Sequence, residues 1–203
     1  MNRRSIRPTD SSPEAVIISG FGGQGIMLAG RLLAQAAMLA NKEVTFIPAY
    51  GAEVRGGASN CTVVIAGQPI ASPIIGLADC VIAISKAAMH RFASSVKPGG
   101  VLLYNNCLVD EDPAVPATVT AVGIPADRLA LDLGSIKAAN MVMIGAYVQW
   151  RACLPVEGVI QALPAVLSRR HHNTIPLNTL ALRKGAQFAE SMADSLAGSA
   201  RSE

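Results

Sequence analysis

The stretch ISGFGGQG, residues 18–25, limits what this chain can fold into more than any other part of it. An apolar run (AVIIS, residues 15–19) precedes it, and an Ala/Leu-rich segment follows to Ala40. Gly20, Gly22 and Gly25 have the G-x-G-x-x-G spacing, which permits a tight turn and close backbone approach where a side chain would collide. A buried strand over 15–19, the turn, and a helix over 24–40 are therefore expected. Ile26, Leu28, Leu32, Leu33, Ala36, Ala37 and Leu39 leave that helix little polar face. Gly30 inside it costs about 1 kcal/mol of helix propensity relative to alanine, so a close contact is expected there. Residues 44–48 read as a second strand, parallel to the first with a right-handed crossover.

The rest follows the same grammar. Strands are expected at 60–66, 79–84, 101–104 and 117–122, and helices at 86–96 and 124–133, with a turn at Pro98-Gly-Gly100. Residues 69–73 read as a short extended segment. From Ser135 the pattern is helical only, over 136–151, 155–167 (with Pro164 inside) and 176–189. The fold class expected is a three-layer α/β/α domain, with a mostly parallel Rossmann-like sheet and a helical C-terminal layer. One domain covers residues 14–190, flanked by disordered tails at 1–13 and 191–203.

Composition excludes several function classes. Of 203 residues, 51% are hydrophobic and 15% charged, so either a tightly packed α/β core or a subunit that buries faces against partners is expected. A net charge of +3 is too mild to call for nucleic acid. Arg31 and Gln35 interrupt the best apolar run, which leaves no membrane helix, and the start lacks the apolar centre of a secretory signal. A cytoplasmic location is expected. Cys61, Cys80, Cys107 and Cys153 never form C-x-x-C, three falling in expected strands and one at a helix end; reduced buried thiols are expected, without a disulfide or metal framework.

The glycine turn invites a dinucleotide reading, in which backbone N–H groups at a helix start hold a pyrophosphate. Such a site wants a carboxylate at the end of the second strand, and here that end reads Phe46-Ile-Pro-Ala-Tyr50. Glu43 lies at the beginning of the strand and Glu53 beyond it, and no P-loop sequence occurs. A second glycine-bearing loop, YGAEVRGG over 50–57, follows the second strand and should gather with the first at one sheet edge. The candidate ligand- or partner-binding residues are Gly20, Gly22, Gly23, Gln24 and Gly25 in one loop, with Tyr50, Glu53, Arg55, Gly56 and Gly57 in the other. No nucleophile–base pair accompanies them, so no catalytic or metal-ligating residue is assigned. Glu53 and Arg55 can equally pair within their own loop.

GFGGQGIMLAG, AYGAEVRGG, ASNCTVVIAGQPIASPII and ADCVIAIS occur here in series, with SIKAANMVMIGA and PLNTLALRKGA further on. In that order they resemble the gamma subunit of 2-oxoacid:ferredoxin oxidoreductases, also a domain of single-chain pyruvate:ferredoxin oxidoreductases, from about residue 15 to 185. YGAEVRGG followed by SNCTVVIAGQPIASP is most similar to the 2-oxoglutarate type. The resemblance implies a complex that converts a 2-oxoacid, coenzyme A and oxidised ferredoxin to acyl-CoA, carbon dioxide and reduced ferredoxin. It implies thiamine diphosphate and Mg2+ between alpha and beta partner subunits and iron–sulfur clusters in beta or delta ones, none bound by this chain alone. It also implies a structural role here, with both glycine loops facing the partners and Arg55 near an anion such as a CoA phosphate. A free-standing Rossmann-type dehydrogenase and a regulatory acyl-CoA-binding module are the alternatives.

Other polar residues have plainer expected roles. Asn140 is expected to be hydrogen-bonded within the core, and Asn178 and Thr179 to cap the last helix. Arg169, Arg170, His171 and His172 read as a solvated basic loop, and His90 as a surface residue. Met27, Met38, Met141 and Met143 read as core or interface filling.

Overall fold

A computed structural model describes residues 12–49 and 58–199. The tail expected at 1–13 lies outside the described residues up to position 11, as do Tyr50, Glu53, Arg55, Gly56, Gly57 and the last four positions.

Strand β1 (Glu14–Phe21) leads through the glycine turn into α1 (Ile26–Leu39), followed by β2 (Glu43–Ala49) and β3 (Ala58–Ala66). An irregular stretch joins β3 to β4 (Ala78–Ala83); α2 (Lys86–Phe92), β5 (Val96–Asn105) and β6 (Thr120–Ile124) complete the sheet. Then come α3 (Ala126–Asp132), α4 (Ala139–Arg151), α5 (Val156–Val166) and α6 (Ile175–Ser199).

The six strands lie in the order β2-β3-β1-β4-β5-β6. β1, β4, β5 and β6 pair in parallel, whereas β3 is antiparallel to both β1 and β2. Two reversals bring β2 back to the direction of β1, so the expected shared direction is present. The expected pairing is not: β3 occupies the place beside β1. Its nine-residue run ASNCTVVIA is β-branched and apolar enough to be buried on both sides, whereas β2, with Pro48 lacking an N–H, suits an edge.

Three further expectations are corrected. Pro98, Gly99 and Gly100 belong to β5, where a register irregularity beside Ala78 and Cys80 absorbs them. The last helix continues to Ser199, so residues 191–199 are helical where a tail was expected. Cys107 lies in a turn past β5 and is exposed, while Cys61, Cys80 and Cys153 are buried.

The main core lies between one sheet face and helices α1, α4, α5 and α6, around Ile18, Leu32, Leu33, Ile82, Leu103, Ile144 and Leu163. The other face carries a thinner layer, α2 and adjoining loops, over Ile17, Val81 and Leu102. Gly30 does permit a close contact: a Cβ there would come within 2.6 Å of both the Cys61 sulfur and the Phe46 ring, on β3 and β2. Gly145 of α4 and Gly185 of α6 face one another's helix, since a Cβ on either would run into the carbonyl oxygen of Leu182 or Val142 respectively. Any side chain at these positions would force two helices apart.

Candidate functional site

The turn after β1 is shaped by its own residues. Gly23 and Gly25 have φ of 92° and 74°, a left-handed conformation that an L side chain adopts only at a cost of about 1–2 kcal/mol. The Gln24 side-chain oxygen accepts the Phe21 N–H at 2.7 Å, and the Gln24 N–H donates back to the Phe21 carbonyl at 3.2 Å. Gly20 makes room for this latch, since a Cβ there would lie 2.5 Å from the Gln24 side-chain oxygen. Gly22 has open space around it. Asn140, buried at the start of α4, donates to the Gly25 carbonyl at 3.3 Å, so the first turn of α1 is tied to a helix 115 residues away in sequence.

A cleft of about 320 Å³ opens at this carboxyl edge of the strands, lined by Gly23, Gln24, Ile84, Leu108, Asp127, Ile136, Lys137, Ala139 and Asn140. Asn105, fully buried at the end of β5, donates to Asp127 at 2.8 Å and fixes that carboxylate at the rim. Leu108 and Ile136 are exposed apolar lips. Among the described residues the cleft offers amides, one cation, one carboxylate and apolar walls, a set suited to hold or to dock a ligand or partner.

Gln24 and Gly23 of the expected site line this cleft, with Gly25 held just behind it. Ala49 and Ala58 flank positions 50–57, and of the two only Ala58 pairs with β1, opposite Phe21 beside the glycine turn. No motif marks Asn105, Asp127 or Lys137, whose relation to the turn depends on the order of β4, β5 and β6.

The topology also weakens a dinucleotide site. β3 separates β2 from β1, which places the end of β2 two strand spacings, about 10 Å, from the turn. The residues nearest the ribose position are Ser59 and Asn60, opposite Gly20 and Ser19. Neither is acidic, and Glu43 is at the far end of β2, opposite Ala66.

A second polar cluster, unforeseen from sequence, sits at the other edge of the sheet. Arg151, at the end of α4, grips Glu14 of β1 with two hydrogen bonds of 2.7 Å. Tyr147 donates to the same carboxylate at 3.4 Å. Asp79 accepts the Ala15 N–H at 2.9 Å, is paired with Lys97, and lies 3.8 Å from Arg151. Glu14 and Arg151 are buried to within a few per cent of complete. Burial pushes the Glu14 carboxyl up, and Arg151 only partly offsets it. Burial pulls Arg151 down, but the Glu14 carboxylate outweighs it and holds the guanidinium charged. One guanidinium nitrogen of Arg151 has no partner. Nothing opens onto this cluster among the residues lining the cleft, and we assign it to holding α4 against the sheet.

The remaining polar residues act locally. Asn178 donates to the Thr174 hydroxyl within the first turn of α6, in place of the expected capping by Asn178 and Thr179. His171 and His172 bond to Ser168 and the Leu167 carbonyl, and His90 pairs with Glu111 at 2.7 Å. Among the described residues no group of three or more His, Cys, Asp or Glu side chains could hold a metal ion, and no helix is long and apolar enough to cross a membrane.

Comparison with known proteins places this geometry. The family model for pyruvate ferredoxin/flavodoxin oxidoreductase matches residues 15–188. The 2-oxoglutarate synthase subunit KorC of Methanocaldococcus jannaschii is 35% identical over 194 residues, covering 95% of this chain and 100% of that protein. The ketoisovalerate oxidoreductase subunit VorA of Methanothermobacter thermautotrophicus is 35% identical over 175 residues, 86% of this chain. That match takes in 36% of VorA, so this chain spans about a third of the length of such relatives. The crystal structure of the gamma subunit of a keto/oxoacid ferredoxin oxidoreductase from Geobacter sulfurreducens superposes with a TM-score of 0.76 at 29% identity, over 88% of this chain and 99% of that one. The chain thus belongs to the pyruvate ferredoxin/flavodoxin oxidoreductase family, and its likeness runs to the gamma-type subunit.

Proposed function

We propose that the chain is the gamma subunit of a cytoplasmic 2-oxoacid:ferredoxin oxidoreductase, with 2-oxoglutarate as its substrate. The observation that carries this is end-to-end similarity to KorC, together with a family match over residues 15–188. The reaction is the oxidative decarboxylation of a 2-oxoacid. The bond between the keto carbon and the carboxylate breaks, carbon dioxide leaves, and the acyl group joins the sulfur of coenzyme A with loss of a proton. Two electrons pass singly to two ferredoxins.

Thiamine diphosphate supplies the carbanion stabilisation for such chemistry, and iron–sulfur clusters the single-electron steps. The donors of this chain do not fit those groups. Cys61 gives its S–H to the Ile26 carbonyl at 3.6 Å, and Cys80 and Cys153 lie within the hydrophobic core. We assign thiamine, Mg2+ and the clusters to alpha, beta and delta partners, through which ferredoxin is reached. A free-standing dehydrogenase is disfavoured by the intruding strand β3, which separates the end of β2 from the glycine turn.

This chain's own residues then act by position. The latch between Gln24 and Phe21, and the bond from Asn140 to Gly25, hold the turn in place beside the cleft. Both glycine loops face the partners, with Arg55 near a CoA phosphate. The test is to co-express the chain with its partner subunits and follow reduction of ferredoxin. Activity requiring 2-oxoglutarate and coenzyme A, and lost when this chain is omitted, is expected. Full activity without the chain overturns the assignment, and a preference for pyruvate or a branched 2-oxoacid overturns the substrate. Arg55→Ala should raise the coenzyme A concentration needed for half-maximal rate; an unchanged requirement in an intact complex removes Arg55 from that role.

A further inference from the structure

The two faces of the β2–β3 pair are treated differently. On one face α1 packs across both strands. On the other, directly paired residues form the cross-strand rows Thr45–Val64–Ala15, Ile47–Thr62–Ile17 and Ala49–Asn60–Ser19. The cover on this side is α2, which packs on β1 and β4. It buries Ile17 and stops short of β2. Ile47 is 38% exposed and Phe21, on the same face at the end of β1, is 42% exposed. Ala49 is exposed and Thr62 and Asn60 are half-buried, whereas Val64 and Ala15 are buried and, among the described residues, the enclosed hydroxyl oxygen of Thr45 has no hydrogen-bond partner.

The chemistry of this strip is uniform. Its described side chains are apolar, hydroxyl or amide, and its one charge, Glu43, lies at the far end. That is the make-up of an interface core, from which charge is depleted, and differs from an ordinary solvated sheet face. Pro48 leaves the outer edge of β2 short of an N–H donor, which disfavours addition of a further strand there and leaves the face as the means of contact.

The relatives identify the kind of occupant. In VorA this fold takes up 36% of a longer polypeptide, so evolution has joined it covalently to a specific larger chain. A fold that lives in one polypeptide with its neighbour has a permanent neighbour, and permanent contacts are the apolar ones. We propose that the exposed part of this face, around Ile47, Ala49 and Phe21, seats the chain against the partner polypeptide that corresponds to the remainder of VorA. This rests on the complex-subunit assignment above.

The test uses the complex made by co-expressing both chains. In intact complex carrying Ile47→Cys, the introduced thiol should react with a maleimide on the order of tenfold or more slowly than one introduced by Leu180→Cys, an exposed position on α6. Peptide mapping separates both from Cys107. Ile47→Lys should lower incorporation into the complex by about tenfold or more, while Leu180→Lys incorporates normally. Equal labelling at positions 47 and 180 in an intact complex overturns the proposal, and so does normal incorporation of Ile47→Lys. Loss of self-association by Ile47→Lys with incorporation unchanged overturns it in favour of a second copy of this chain. If the unsubstituted chain forms no complex, it is the subunit assignment that fails.

Discussion

The two edges of the sheet solve opposite problems with similar materials. At the carboxyl edge, Gln24 and Asn140 bind backbone groups of the glycine turn through neutral hydrogen bonds beside an open cleft. At the amino edge, Glu14, Arg151, Asp79 and Lys97 meet as charges, the first two almost wholly buried. Neutral bonds cost little to desolvate, so the first arrangement can stay partly open and present its donors to something else. Buried charges satisfy one another, and that arrangement has little left to offer a ligand. One end of α4 serves each edge: Asn140 at its start, Arg151 at its end. The helix therefore couples a presenting surface to an anchor.

The contrast is sharpest in Arg151→Ala, which leaves two carboxylates with one cation between them. A loss of about 3–5 kcal/mol in stability is expected, read by urea unfolding. Glu14→Leu combined with Arg151→Met removes both charges and should recover most of that loss; if it does not, the cluster holds α4 by more than charge pairing. Gly25→Ala comes next, at about 1–2 kcal/mol for the left-handed backbone, with further cost because its Cβ would displace the Asn140 amide. Asn140→Ala should cost about 1 kcal/mol and, in the complex, impair function more than its stability loss explains. An Asn140→Ala complex with unaltered coenzyme A dependence would detach the cleft from function.

Thiol reactivity gives the smallest and cleanest contrast. Burial pushes the Cys61 thiol up to about 12 and the Cys153 thiol up to about 11, and Cys80 well above its ordinary value. At pH 8 these three stay protonated and shielded, so a maleimide should modify Cys107 alone until the chain unfolds. Labelling of Cys153 at a comparable rate would show that the amino edge opens in solution.

How far the sequence carried the fold varies with the range of the signal. The strand–turn–helix of β1 and α1 and the apolar strands β4 and β5 were legible, because period, apolar runs and glycine spacing are local. The close contact at Gly30 was legible too, since a glycine in a helix interior carries a propensity cost that some contact must offset. The partner of β1 was not. The run 58–66 is apolar enough to be buried on both sides, but that alone does not name its neighbour; the choice depends on a comparison with β2, whose Pro48 suits an edge. The cleft shows the same divide. Gly23 and Gln24 announce themselves by motif, whereas Asn105, Asp127, Lys137 and Asn140 converge from β5, α3, the short turn at 136–138 and α4.

By itself the sequence determined that this is an α/β domain with a rigid, donor-rich turn, a helical end and a recognisable family series. Those properties follow from short-range rules: side-chain periodicity, the steric freedom of glycine, and residue order. Only the tertiary structure decided that β3 enters beside β1, that Glu14 meets Arg151 across 137 residues, and that Ile47 and Phe21 stay exposed on one face of the sheet. These depend on how elements compete for burial, and that competition is settled only when the whole chain packs.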